Sequence, residues 1–136
     1  MDHVYLLEMI DRGASSGAHT EGFMIGLFSS YSKAEQVAVR YLREVPGFRD
    51  YDVTYQIREK RVIGDEDGSS SLYLICGWDL DESLDEVDIV ESDCYVLRED
   101  AAAALAHLRA RHARAEWSLD RYMLDSCLWE DGFVRA

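Results

Sequence analysis

The sequence predicts an α+β fold of two tandem β-β-α-β units, with an antiparallel sheet or sheets and two helices packed on one face. Short runs rich in β-branched and aromatic residues alternate with two longer stretches whose apolar residues recur at helical spacing. A run of glycine, serine and acidic residues divides the chain near its middle, and the order of elements begins again after it. We therefore expect one compact domain with a first unit over 1–63, an acidic linker over 64–70 and a second unit over 71–136.

Two apolar runs near the start of the chain predict an antiparallel hairpin. Residues 3–9 and 23–28 are rich in the residues that favour strands, and the segment between them, 11–20, is small and polar. Such a segment is typical of a loop, and strands that follow each other in this way pair in opposite directions.

The first helix and the third strand follow this hairpin. Ser32 and Glu35 have the spacing of a capping box, in which each side chain hydrogen-bonds the backbone amide of the other residue. Apolar residues then recur on one face as far as Pro46-Gly47, which ends the helix because proline cannot extend it and glycine readily adopts the left-handed turn. Alternating side chains over 52–63 predict the third strand.

The second unit repeats this order of elements. Residues 72–78 and 87–97 predict two strands, residues 99–115 a helix and residues 118–129 a last strand. One face of the helix carries its apolar positions, which are Ala101, Ala104, Leu105, Leu108 and His112. Acidic residues lie near the start of this helix and arginines near its end, as the helix dipole favours.

Negative charge is concentrated in one segment of the chain. The formal net charge is −13, and no Lys or Arg occurs between Arg61 and Arg98. That stretch holds eleven acidic residues, whereas the rest of the chain has 16 acidic and 14 basic residues. Direct binding to nucleic acid or to an anionic membrane is disfavoured, because phosphate groups bind basic surfaces. The imbalance favours a basic protein as the partner.

The candidate partner-binding residues lie in this segment. They are Trp78, Asp79, Asp81, Glu82, Asp85, Glu86, Asp88, Glu91 and Asp93. A calcium-binding EF-hand loop that began at Asp79 would need glycine and glutamate where the sequence has Leu84 and Val90, so no calcium site is predicted. Two main interpretations stay open beside adventitious binding of a divalent cation: a solvated acidic loop without function, or an interaction surface whose internal repulsion is relieved by a basic partner.

Aromatic residues in the second half are expected mainly in the core, with a second interpretation for any that are exposed. They are Trp78, Trp117, Trp129, Tyr122 and Phe133. Trp78 adjoins the acidic loop, and Trp129 precedes Glu130 and Asp131. An exposed aromatic side chain among carboxylates is typical of an anchor at a protein interface.

The sequence predicts no enzyme, no metal site and no cofactor. Nucleophilic catalysis needs a Ser or Cys beside a base, and neither such a motif nor a phosphate-binding glycine loop is present. His107 and His112 are five residues apart on a predicted helix, whereas joint metal ligation needs a spacing of three or four. Cys76, Cys94 and Cys127 each have apolar neighbours, so we expect buried thiols in a reducing compartment.

The protein is expected in the bacterial cytoplasm. The segment Met1-Asp2-His3-Val4-Tyr5 lacks the basic and apolar regions of a secretion signal. No apolar run approaches the roughly 20 residues that a membrane-spanning helix requires.

Two groups of residues resemble the motifs of a family of small uncharacterised bacterial domains. The first is Ile25-Gly26-Leu27-Phe28-Ser29-Ser30, then Ala34 and Pro46-Gly47-Phe48-Arg49-Asp50; the second is Tyr122-Met123-Leu124-Asp125, Trp129 and Gly132-Phe133. In that family both motifs lie within one domain of about half this length, whereas here about 70 residues separate them. This spacing suggests a duplicated unit of which each copy kept a different half.

Small acidic proteins of this kind also resemble the immunity proteins that are encoded beside bacterial toxins. The function we expect is therefore that of a non-catalytic inhibitor, an immunity protein that binds and neutralises a basic toxin such as a nuclease. Two alternatives stay open. One is a module that mimics nucleic acid or acts as a general regulator, and the other is a structural subunit of a larger assembly.

Overall fold

A computed structural model of the chain describes residues 2–13, 21–65, 70–80 and 87–134. The described residues form six strands and two helices, so the α+β class is confirmed. In chain order these are β1 (His3–Asp11), β2 (Glu21–Phe28), α1 (Tyr31–Glu44), β3 (Val53–Ile63), β4 (Ser71–Leu80), β5 (Val87–Tyr95), α2 (Arg98–Arg111) and β6 (Glu116–Met123). Neither helix in this described part combines the length and the apolarity that crossing a bilayer requires.

Backbone contacts divide the chain into two units that do not follow the predicted repeat. The discontinuous unit consists of His3–Lys60 and Leu124–Ala136, and the inserted unit consists of Arg61–Met123 with Met1–Asp2. The order of elements is the predicted one, but the arrangement as two successive β-β-α-β units is not confirmed. The reason is that the last residues of the chain belong with its first half, and most of the predicted linker, residues 66–69, lies outside the described residues.

In the discontinuous unit, β1 and β2 form the predicted antiparallel hairpin. Their register runs from Tyr5 opposite Phe28 to Asp11 opposite Glu21, with an irregularity between Leu7 and Glu8. Both strands extend beyond the predicted ends, and β3 lies on the other side of β1. Most of the predicted loop, residues 14–20, is outside the described part of the chain.

Helix α1 begins two residues earlier than a capping box at Ser32 requires. Ser30 is the N-cap: its backbone is extended, and its hydroxyl accepts a hydrogen bond from the amide of Lys33 at 3.1 Å. The predicted capping box is therefore wrong, because Ser30, two residues before Ser32, caps the helix with the same hydroxyl chemistry. The helix ends as predicted before Pro46, and Gly47 takes a left-handed backbone with φ of +86°.

The segment from Leu124 onwards packs on the first half of the chain and is not part of a strand. The amide of Asp125 donates to the carbonyl of Leu27 at 2.8 Å, and that of Leu128 donates to Ile25 at 2.7 Å. The prediction of a strand over 118–129 is wrong beyond Met123, because the chain turns at Asp125, where φ is +61°. The two motif-bearing segments quoted above, apart from Tyr122 and Met123, thus lie in one unit.

The core of the discontinuous unit is a continuous apolar cluster. Phe133, from the end of the chain, has its ring centre 4.5 Å from that of Phe23 and 4.9 Å from that of Phe48. The buried members of the cluster are Leu7, Met9, Phe23, Ile25, Phe28, Ala34, Ala38, Tyr41, Val45 and Phe48. Residues from both ends of the sequence therefore complete one core, and burial of such side chains is the main stabilising contribution to a fold of this size.

In the inserted unit, β4 is the central strand and pairs in antiparallel fashion with β5 and β6. The last residues of β3 pair with β5 in the same direction, Val62 opposite Cys94 and Ile63 opposite Tyr95. The prediction of purely antiparallel sheets is therefore wrong, and the strand pairing is mixed. The chain reverses direction between β3 and β4 and again between β4 and β5, so β5 runs parallel to β3. Strand β5, and not β4, lies next to β3.

Helix α2 packs on β4, β5 and β6 by the predicted face. Ala101 is buried, and the other four predicted positions are partly buried. The helix ends at Arg111, four residues before the predicted end, and no side chain caps its start at Leu97. A helix with one buried residue adds little to a core, so the inserted unit depends chiefly on its strands.

Candidate functional site

A bulge in the β4–β5 pair decides which acidic residues share a surface. Leu74 lies opposite Cys94 and Cys76 lies opposite Glu91, so β5 has two residues where β4 has only Ile75. The hydroxyl of Ser92 accepts a hydrogen bond from the amide of Ile75 at 2.9 Å. Since successive side chains of a strand alternate between faces, the extra residue places Glu91 and Asp93 on opposite faces.

Asp93 is neutralised within the inserted unit. Its carboxylate lies 3.0 Å from the guanidinium of Arg61, and both side chains are partly exposed. It also lies near Tyr95, whose pKa is raised by burial and then by the charge of Asp93. Asp93 therefore belongs to a local ion pair on the side of the sheet away from Glu91.

The opposite side presents what we call the acidic face, formed by one side of β4, β5 and β6. Register partners share a face, and they place Trp78 beside Glu116, Cys76 between Glu91 and Ser118, and Leu74 beside Asp120. The members of the acidic face with partly or fully exposed side chains are Cys76, Trp78, Glu91, Glu116, Ser118, Asp120 and Tyr122. Strand pairing alone thus brings three carboxylates and a tryptophan from three strands together.

The side chains that β4, β5 and β6 contribute to the acidic face are acidic or neutral. Its described residues include no lysine, arginine or histidine. Burial first, and then the charges of Asp120, Cys76 and Glu91, raise the pKa of Tyr122 to about 12. Those three groups are therefore close enough to interact through space, and together they favour a cation.

Trp78 gives the acidic face an apolar contact point. Its side chain is 42% exposed, although tryptophan is a residue that folding usually buries. An exposed indole among carboxylates can hold a cationic side chain against its ring and still bury apolar area when a protein docks. The face can therefore supply both charge attraction and short-range contact.

The predicted partner-binding residues divide into three groups. Trp78 and Glu91 lie on the acidic face, whereas Asp93 does not. Asp79 and Asp88 are register partners in β4 and β5, and their side chains are outside the described part. The remaining residues also lie outside the described residues; they are Asp81, Glu82, Asp85 and Glu86.

Glu116 and Asp120 belong to the acidic face and were not predicted. Neither residue lies in the stretch without basic residues that predicted the partner-binding segment, because that stretch ends at Arg98 and β6 follows it. The signal was present in the alternation of β6, where Trp117 and Leu119 are separated by polar residues at 116, 118 and 120. What the sequence does not give is the register that places this strand beside β4.

Trp129 is the other exposed aromatic anchor that the sequence suggested. Its side chain is 47% exposed, and its ring edge meets Phe23 with 4.8 Å between ring centres. Its φ is +60°, a left-handed backbone that costs about 1–3 kcal/mol in a bulky residue. Two backbone hydrogen bonds that flank it, from Leu128 to Ile25 and from Gly132 to Trp129, hold this conformation.

Metal-binding side chains are not clustered in the part of the chain that the structure describes. That part contains no group of three or more His, Cys, Asp or Glu side chains placed to hold a metal ion. Cys76, Cys94 and Cys127 are not joined in disulfides; Cys94 is buried, and burial raises the pKa of Cys127, which disfavours the reactive thiolate. Comparison with protein-family models, curated proteins and solved structures finds no match for this chain.

Proposed function

We propose that this chain is a non-catalytic binding protein whose acidic face docks a cationic protein, most concretely an immunity protein that neutralises a basic toxin. The observation that carries the proposal is that strand pairing places Glu116 and Asp120, with Glu91, on the same face as the half-exposed Trp78. Glu116 and Asp120 carry like charges on one surface, and docking of a cationic partner would relieve the repulsion between them.

The two components of the acidic face make separate contributions to binding. Carboxylates on a face of one sign accelerate the encounter with a basic protein and lose this effect as salt increases. Trp78 acts only at contact, where burial of its ring excludes water and slows dissociation. The proposal therefore predicts that changes in charge alter the association rate, whereas loss of the indole alters the dissociation rate.

The test uses the full chain as bait in extracts of its native host, at low and at moderate salt. We expect one basic protein to be captured by the wild type and much less of it by the double variant Glu116→Gln/Asp120→Asn. The matched control is Glu130→Gln/Asp131→Asn, which removes the same charge from the discontinuous unit. Equal capture by all three baits, or equal loss in both variants, would contradict the proposed surface.

Kinetic measurements on the captured partner then separate the two contributions. The double variant should lower the association rate by about tenfold at low salt and less at high salt. Trp78→Ala should raise the dissociation rate by roughly thirtyfold, the effect of losing about 2 kcal/mol at an interface anchor. Capture of many DNA-binding proteins instead of one partner would favour the mimicry alternative.

A further inference from the structure

An open groove of about 320 Å³ runs along one side of α1 in the discontinuous unit. Its apolar part is formed by the buried ring of Phe28 and by Val37. Its polar part is formed by Lys33, Gln36 and Arg40 from the helix and by Asp125 from residues 124–134, which we call the closing segment. The helical residues are three, four and seven positions apart, which places them on one side of α1.

Asp125, the carboxylate among the described residues that line the groove, accepts hydrogen bonds from neighbouring groups of the protein. Asp125 accepts hydrogen bonds from the amide of Ser29 at 2.8 Å, from the Ser29 hydroxyl, and from the ammonium of Lys33 at 3.2 Å. Burial opposes its ionisation, but these hydrogen bonds outweigh burial and lower its pKa. Asp125 therefore stays ionised and balances Lys33, so the groove keeps the charge of Arg40 in excess.

Arg40 is held in place without an ion pair. Its guanidinium donates to Sγ of Cys127 at 3.5 Å and lies 5.3 Å from the ring centre of Tyr41. Tyr41 is itself fixed, since it is buried and its hydroxyl donates to the carbonyl of Leu128 at 2.7 Å. Among the described residues no carboxylate lies within ion-pair distance of Arg40, although Glu130 is close enough to raise the pKa of Cys127.

We propose that this groove binds a small molecule in which an oxyanion, a carboxylate or a phosphate, is attached to an apolar group. A guanidinium presents paired N–H donors that match a carboxylate or a phosphate, and a thiol is a weak acceptor that an oxyanion readily replaces. The amide of Gln36 supplies a further donor, and the partly buried Val37 contacts the apolar group. The volume lies at the lower end of the range for small-molecule sites.

This site is independent of the acidic face. It lies in the other unit, has the opposite charge preference and shares none of its residues. Failure of one proposal therefore leaves the other unaffected.

The experiment measures binding of three probe anions to the full chain at constant ionic strength, by NMR titration and calorimetry. The probes are phenyl phosphate, benzoate and inorganic phosphate. We expect saturable binding of at least one aryl probe, tighter than that of inorganic phosphate, with shifts at the Gln36 side-chain amide. Which aryl probe binds more tightly identifies the head group. No saturable binding of either aryl probe, or equal binding of inorganic phosphate, overturns the proposal.

Variants of two arginines on the same helix locate the site. Arg40→Gln should weaken binding of the preferred aryl probe by roughly tenfold, and Arg40→Lys by less, because the charge remains but the paired donors are lost. The matched control is Arg43→Gln, which removes the same charge from α1 outside the groove. Equal weakening by Arg40→Gln and Arg43→Gln would show general charge screening and overturn the site, and the thermal midpoint of each variant confirms folding.

Discussion

The two units differ most in how they are packed. All ten buried members of the largest apolar cluster belong to the discontinuous unit, where three phenylalanine rings from distant parts of the chain meet. Among the residues whose burial the structure describes, the inserted unit has fewer large buried side chains, mainly Leu72, Leu74 and Ile75 of its central strand. Its helix buries only Ala101, whereas α1 buries Ala34, Ala38 and Tyr41.

The two units also differ in net charge, and the unit with fewer large buried side chains is the more negative one. The inserted unit with residues 1–2 has 16 acidic and 6 basic residues, a net charge of −10, whereas the discontinuous unit has 11 and 8, a net charge of −3. The unit with the larger net charge is therefore the one whose described residues bury fewer large side chains, so charge repulsion is concentrated where less buried contact opposes it. Four predictions test this comparison.

The largest effect is expected in the core of the discontinuous unit. Phe48→Ala should lower the free energy of unfolding by about 3–5 kcal/mol, because a buried ring is lost and a cavity remains. Leu74→Ala in the inserted unit should cost less, near the lower end of the ~2–5 kcal/mol range. Urea denaturation followed by circular dichroism measures both, with the 90% exposed Val134→Ala as control. A larger cost for Leu74→Ala than for Phe48→Ala would break the comparison.

A second effect concerns the closing segment of the discontinuous unit. Gly132 has φ of +82°, and a Cβ at this position would overlap the carbonyl of Pro46. Gly132→Ala should therefore lower the free energy of unfolding by about 1–3 kcal/mol. In the control Gly22→Ala the new methyl group meets only the movable end of Glu8, so its cost should be below about 1 kcal/mol. Equal costs would show that the closing segment is not tightly held.

Asp125 connects the closing segment to the start of α1 and makes stability depend on pH. Asp125→Asn should cost about 1–2 kcal/mol at pH 7, because the hydrogen bonds from Ser29 and Lys33 lose a charged acceptor. The folded-state pKa of Asp125 lies below its ordinary value of 3.8, so the stabilisation is complete above that pH and is lost as the pH falls through the folded-state pKa.

Denaturation of wild type and variant from pH 7 down to pH 2 checks this prediction, since their difference should shrink below about pH 4. The control is Asp52→Asn, which removes an exposed pair with Arg12 and should change stability by less than about 1 kcal/mol. A difference between wild type and Asp125→Asn that stayed constant across this range would contradict the role of the charge.

The smallest effect should have the opposite sign. Asp120→Asn removes a charge from the acidic face and should raise the free energy of unfolding by up to about 0.5 kcal/mol at low salt. Glu99→Gln should lower it by about 0.3–1 kcal/mol, because Glu99 lies in the first turn of α2, where negative charge is favourable. Both effects should fade in 1 M salt. A loss of stability in Asp120→Asn would show that repulsion on the face is unimportant.

The sequence predicted most elements to within a few residues, and the errors have identifiable causes. The capping box was placed at Ser32 because local spacing cannot distinguish it from Ser30, which is the cap in the structure. The last strand was extended beyond Met123 because the apolar residues that follow pack on the core and are not in a strand. Of the acidic face, Trp78 and Glu91 were predicted, and Glu116 and Asp120 were not.

The sequence by itself determined the α+β class, the order of strands and helices, and the excess of acid in one half. These properties depend on side-chain periodicity, on capping and turn residues, and on a count of charges, all of which are local. The tertiary structure decided that Leu124–Ala136 joins the first core, that β5 runs parallel to β3, and that a bulge at Ser92 separates Glu91 from Asp93. These features depend on hydrogen bonds and packing between residues distant in sequence, and no periodicity within a single segment specifies them.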